Sequence, residues 1–114
     1  METNVVARKI VEILEDHKGD DIVLLDVSKQ VDFTDYFVIA SGTSDRMLES
    51  LSNFVVDGIR DEFHLRGYVQ GIPSGGWILI DFGDIVVHIF SPEKRSYYSL
   101  EELWNESKVL LKVN

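Results

Sequence analysis

Apolar residues near the start of the chain recur at helical spacing. Val6, Ile10, Ile13 and Leu14 fall on one face and charged residues fill the other, which predicts an amphipathic helix over about 4–17. Lys18 and Gly19 follow, a cation and a glycine where a helix C-terminus favours both. The pattern then shifts to a short apolar run at 22–27, read as a buried strand, and a polar loop at 28–34. A second strand spans 36–40; its apolar residues do not alternate with polar ones, as expected of a strand covered on both faces. Ser41, Gly42, Thr43 and Ser44 form a turn. Ser44 suits an N-cap and Asp45 a first helical turn. Leu48, Leu51, Val55, Ile59 and Phe63 then predict the longest helix, ending near Arg66 and Gly67. A short strand around 68–69 and a loop through Pro73, Ser74, Gly75 and Gly76 lead into residues 76–90. These read as two apolar strands joined at Asp81, Phe82, Gly83 and Asp84, where Asp and Gly supply the dihedrals of a hairpin. Ser99 followed by Glu102 matches a capping box, opening a last helix with Leu100, Leu103 and Trp104 toward the body of the domain.

The order is therefore helix, two strands, helix, three strands, helix. It predicts an α/β (α+β) fold with a mixed sheet of about five strands flanked by helices. The crossover from the strand at 36–40 to the later strands should be right-handed. Strand, Gly-Ser-like turn and helix in sequence are similar to the arrangement in nucleotidyltransferases. The 114 residues suit one domain, 1–114.

Composition narrows the function. Apolar residues are 45% of the chain, enough for one core. No run of about 18 apolar residues suggests a membrane span. The first residues lack the apolar run and cleavage site of a signal peptide. With no cysteine, disulfides, thiol catalysis and thiolate metal sites are excluded. Together these point to a cytoplasmic protein. Twenty acidic residues against eleven basic ones give a net charge of −9. That sign opposes a nucleic-acid backbone, whose binding comes mainly from neutralised phosphates. It would speed encounter with a basic protein, or it serves only to keep a small domain soluble.

Candidate chemistry is sparse. The turn at 41–44 could present backbone N–H groups to an anion, but it lacks the lysine and glycines of a phosphate loop. Turn and cap explain it better. Asp26, Asp35, Asp81 and Asp84 are the carboxylates a nucleotidyltransferase would need for Mg²⁺, yet no close acidic pair follows the turn. His17, His64 and His88 are widely separated, without the spacing of a zinc site. There is no Gly-x-Ser-x-Gly elbow. No catalytic residue, metal site or cofactor is expected. The aromatics stand out: Trp77, Phe82, Phe90, Tyr97, Tyr98 and Trp104 crowd one stretch. A phenylalanine at a hairpin tip is hard to bury, so Phe82 is expected to be an exposed anchor of a protein interface.

Four ordered motifs then carry a likeness: residues 35–44, 76–84, 87–90 and 95–104. From about Ala7 to Trp104 the chain resembles the ribosomal silencing factor family, also called Iojap-like. The resemblance implies a fold related to nucleotidyltransferases but no enzymatic role. It implies binding to the large ribosomal subunit through its ribosomal protein number fourteen, beside the surface that meets the small subunit. Occupying that place blocks subunit joining and represses translation when nutrients are scarce. Carried onto this chain, Trp77, Asp81, Phe82 and Tyr98 would lie in or beside the docking surface. Asp84, His88 and Arg95 match the motif and serve either the partner or the fold. Phe82 and Phe90 stand where relatives also carry aliphatic residues. Two other readings remain at this point: a nucleotidyltransferase-like enzyme acting on a nucleotide or RNA, and a homodimer formed through the aromatic hairpin.

Overall fold

The computed structural model describes residues 2–97 and 107–113. Tyr98, the capping box at Ser99 and Glu102, and Leu100, Leu103 and Trp104 lie outside the described residues.

The first helix, α1, spans Thr3–Asp16 and buries Val6, Ala7, Ile10, Val11, Ile13 and Leu14, the stripe its apolar spacing dictates. Strand β1 (Asp20–Asp26) pairs antiparallel with β2 (Tyr36–Ser41). Helix α2 (Asp45–Phe63) follows. Ser44 caps it as the sequence predicts, its Oγ accepting the Met47 N–H at 3.1 Å. Ser44→Ala should therefore cost about 1 kcal/mol, read as a lower urea midpoint with unchanged slope. The helix stops three residues before Arg66. His64 takes the left-handed conformation (φ 58°) and donates its N–H to the Arg60 carbonyl. Phe63 and Leu65, on either side of that turn, both pack against the core.

Three antiparallel strands come next: β3 (Tyr68–Ile72), β4 (Trp77–Asp81) and β5 (Ile85–Phe90), with a 3₁₀ turn at Pro73–Gly75 between the first two. Helix α3 (Pro92–Tyr97) and strand β6 (Lys108–Val113) close the described chain. The sheet has six strands in the order β3-β4-β5-β2-β1-β6. At its centre β2 and β5 run parallel, Tyr36 opposite Ile85 and Ser41 opposite Phe90; every other pair is antiparallel. The sixth strand is the addition to the predicted five. Val109, Leu110 and Leu111, set between Lys108 and Lys112, with Val113 beyond, carry no period long enough to mark a strand; pairing with β1 defines it.

Each strand's alternation divides the core between the two faces of the sheet. On one face α1 and α2 pack over Ile22, Leu24, Val38, Ala40, Ile78, Ile80, Ile85, Val87 and Ile89. On the other, Val23, Leu25, Val27, Phe37, Ile39, Val86 and Phe90 form a second cluster, joined by half-buried Val31, Trp77 and Leu79. Covering on both faces explains the uninterrupted apolar sequence of β2. No helix among the described residues is long and apolar enough to cross a membrane.

Candidate functional site

The β4–β5 hairpin sorts the aromatic residues. Successive side chains point to opposite faces, so Ile78 and Ile80 meet the helices while Trp77 and Leu79 join the second cluster. In β5, Ile85, Val87 and Ile89 face the helices, and Val86 and Phe90 face the other way. His88 shares that second side. Its ring lies 4.6 Å from Phe37 edge-on, and 6.0 Å from both Trp77 and Phe90. Trp77 stacks on Phe90 at 5.3 Å. Its indole N–H donates to His88 Nδ1 at 3.3 Å.

That bond requires an unprotonated Nδ1. Burial also works against charge on the ring: His88 is 9% exposed, and desolvation lowers its pKa from 6.5 to about 4. Its Nε2 is buried with no partner among the described residues. His88 is thus a neutral wedge that fixes the angle of Trp77 from beneath. Trp77 itself is half-buried.

Strand β3 extends this face. Ile72 lies opposite Trp77, Gln70 opposite Leu79 and Tyr68 opposite Asp81, and residues paired in this way project to the same side. Tyr68 is 59% exposed and Ile72 63%. The Arg66 guanidinium lies 5.1 Å from the Tyr68 ring centre, within cation–π range. Trp77, Leu79, Tyr68 and Ile72 thus make an apolar strip on one side of the sheet, with Gln70 and Asp81 on the same side. Sequence reasoning missed Tyr68, Ile72 and Leu79. The stretch Tyr68-Val69-Gln70-Gly71-Ile72 carries no alternation that marks this side; pairing with β4 reveals it.

The structure changes the reading of Phe82. The sequence predicts an exposed tip; the ring is half-buried and packs against the main core. The alternation Ile78, Ile80, Phe82 carries it to the helix side. Gly67 makes room for it, since a Cβ there would lie 2.8 Å from the ring. With Thr3, Val6, Leu65, Asp84 and Ile85 it lines a cavity of about 180 Å³. Phe82 and Trp77 belong to opposite faces of the sheet and cannot share one flat patch.

The remaining candidates divide between turn and fold. Asp81 Oδ1 accepts the Gly83 N–H at 2.7 Å, holding a tip where Gly83 adopts φ 90°. Asp84 has an exposed side chain, and its backbone carbonyl accepts the N–H groups of Asp35 and Tyr36 at 3.1 Å. Arg95 is buried; its Nη1 donates to Ser41 Oγ at 2.8 Å and ties α3 to the end of β2. Asp26, another carboxylate considered for a metal, accepts both the Oγ–H (2.6 Å) and the N–H (3.0 Å) of Ser28. The side-chain bond, then the backbone bond, holds its carboxyl below the usual carboxylate range. Among the described residues no group of three His, Asp or Glu is arranged to hold a metal ion.

Known proteins resemble this chain in sequence and fold. The family model described as "Ribosomal silencing factor during starvation" matches residues 1–113. A ribosomal silencing factor of Chromobacterium violaceum is 37% identical over 108 residues, covering 95% of this chain and 88% of that protein. The factor of Bacillus subtilis is 33% identical, covering 82% of this chain and 79% of its own. Mouse "mitochondrial assembly of ribosomal large subunit protein 1" is 37% identical over 101 residues, which is 43% of its length. A crystal structure of a Chromobacterium violaceum protein superposes with a TM-score of 0.85 at 37% identity, covering 92% of this chain and 88% of that one. Fold and sequence agree along nearly the whole length, and the chain belongs to the ribosomal silencing factor family.

Proposed function

We propose that this protein docks on the large ribosomal subunit through the sheet face centred on Trp77 and blocks joining with the small subunit by its bulk, so repressing translation in the cytoplasm. The contact on the subunit is ribosomal protein number fourteen, and the protein acts by binding, without catalysis. One observation carries this reading beyond family membership: exposed Tyr68 and Ile72 continue from half-buried Trp77 and Leu79 on one face of an acidic domain. Tryptophan and tyrosine in such positions are frequent anchors of interfaces, and a net charge of −9 favours a basic partner. An interface of about 800 Å² per partner is standard for stable recognition. The engagement of Asp26 and Asp81 in loop hydrogen bonds favours binding over phosphoryl transfer.

Trp77→Ala should weaken binding to large subunits by about 2 kcal/mol, close to 30-fold. Co-sedimentation measures the affinity, and light scattering of mixed subunits measures the block on joining. A circular dichroism melt confirms that the variant is folded, which is needed because Trp77 also packs on Phe90. Unchanged co-sedimentation would remove Trp77 from the interface. Wild-type protein in excess that leaves subunit joining intact would defeat the function itself. Binding should weaken with added salt as the Debye length falls below about 8 Å.

A further inference from the structure

The two edges of the sheet are finished differently. A sheet edge offers unpaired N–H and C=O groups, and proteins guard it with charged side chains, proline or bulges. Strand β6, at one edge, carries Lys108 and Lys112, and its register with β1 shifts between Leu24 and Leu25. Strand β3, at the other edge, has β4 as its one neighbour among the described residues. It reads Tyr-Val-Gln-Gly-Ile, with no charge and no proline, and all five residues are exposed. Val69 is 50% exposed on the helix side of the strand, and Tyr68 and Ile72 stand on the other.

Beside this edge is a cavity of about 200 Å³ lined by Gln70, Gly71, Trp77 and Leu79. Gly71 shapes it. At φ 89° it departs from the regular pleat, and a Cβ there would lie 2.3 Å from the Trp77 carbonyl oxygen. Residues 68–70 are left as the straight part of the edge. An open edge with a side-chain pocket next to it is the arrangement that receives an added strand: main-chain bonds supply affinity, and pockets for alternate side chains supply specificity.

We propose that β3 is extended by a strand from a basic protein, with one apolar side chain of that strand seated in the cavity between Gln70, Gly71, Trp77 and Leu79. This rests on the docking reading above and specifies how the partner is held. Charge selects the occupant. A second copy of this chain brings another −9, whereas a basic strand is drawn to it, and Asp81 stands directly opposite Tyr68 at one end of the edge. Arg66, over Tyr68, is a cation that the structure sets against a β3 side chain.

Hydrogen–deuterium exchange of the full chain, alone and saturated with purified large subunits, tests this. Within residues 68–72 the alternate amides that face away from β4 should exchange at least about tenfold more slowly in the complex. Val69→Lys, which gives β3 the guard that β6 has, should abolish co-sedimentation while leaving the thermal melt unchanged; Val69→Thr should bind as wild type does. If the chain sediments with subunits and 68–72 exchange as in the free protein, strand addition is wrong while docking stands. If the wild type does not sediment, docking and strand addition both fall. Protection of 68–72 that grows with concentration of the chain alone identifies a second copy as the occupant and overturns the basic strand. Should Val69→Lys fail to fold, exchange in the wild type still decides.

Discussion

Phe90→Ala should lower the free energy of unfolding by about 3–5 kcal/mol. Phe90 is 1% exposed and sits where two strands meet it in register: Ser41 of β2 on one side and Trp77 of β4 on the other. Its ring supports Trp77 at 5.3 Å and faces His88 at 6.0 Å. The backbone around the site is pinned by ladder pairing on both sides, so it cannot close over the vacated volume. That places the cost near the top of the range, because the penalty grows with the cavity that remains. Urea unfolding should show a markedly lower midpoint, and a thermal scan a fall of more than about 10 °C. Phe90→Leu, which keeps most of the volume, should cost about 1.5 kcal/mol or less. A loss below about 1 kcal/mol for the alanine variant would show that the pocket relaxes, contrary to the pinned geometry. Where the alanine variant still folds, Trp77 loses the platform that fixes its ring, and large-subunit binding should weaken with it.

Stability should also fall steeply on mild acidification, and His88 is the reason. Its folded pKa is about 4 against 6.5 when exposed. Between those values the unfolded chain takes up a proton that the folded chain refuses, so stability rises with pH across that window. The contribution is complete above pH 6.5 and lost as the pH drops toward 4. At about 1.4 kcal/mol per pH unit the loss comes to about 3 kcal/mol. Carboxylates titrate in the lower part of the same window, so the diagnostic is a difference. His88→Phe keeps the ring shape among Phe37, Trp77 and Phe90 and removes the titration. Between pH 7 and 4.5 its stability should decline less than the wild type's, so wild-type stability minus variant stability should fall with the pH. Parallel curves for the two proteins would mean that the imidazole titrates normally and that water reaches it. Protonation also puts a hydrogen on Nδ1, where the Trp77 N–H now donates. In the folded protein this happens only as the pH reaches about 4, so the indole should loosen there and not across the window above it, visible as a change in tryptophan fluorescence.

Much of this architecture was legible in the chain because local periodicity and burial agree. Val6, Ile10, Ile13 and Leu14 mark α1, Ser44 marks the start of α2, and the turn from Asp81 to Asp84 marks the β4–β5 hairpin. What stayed hidden depends on contacts between distant segments. Strand β6 exists through pairing with β1. The end of α2 is set by His64 in a conformation that sequence rules expect of glycine or asparagine. Phe82 was misjudged because a tip position looks exposed when its register is unknown; one step of alternation sends its ring to the helices and Trp77 to the opposite face. The strip of Tyr68, Ile72 and Leu79 becomes visible only when β3 is aligned on β4.

The parallel β2–β5 pair at the centre of the sheet has a consequence for how the chain reaches this state. Neighbouring segments can form β1 with β2, and β3 with β4 and β5, early and independently. Joining the two halves brings Tyr36 to Ile85 across all of α2, a distant closure whose entropy must be met before its contacts are gained. Assembly should thus be two local units of structure that dock late across the middle of the sheet, with β6, which reaches back further still to β1, sealing the edge.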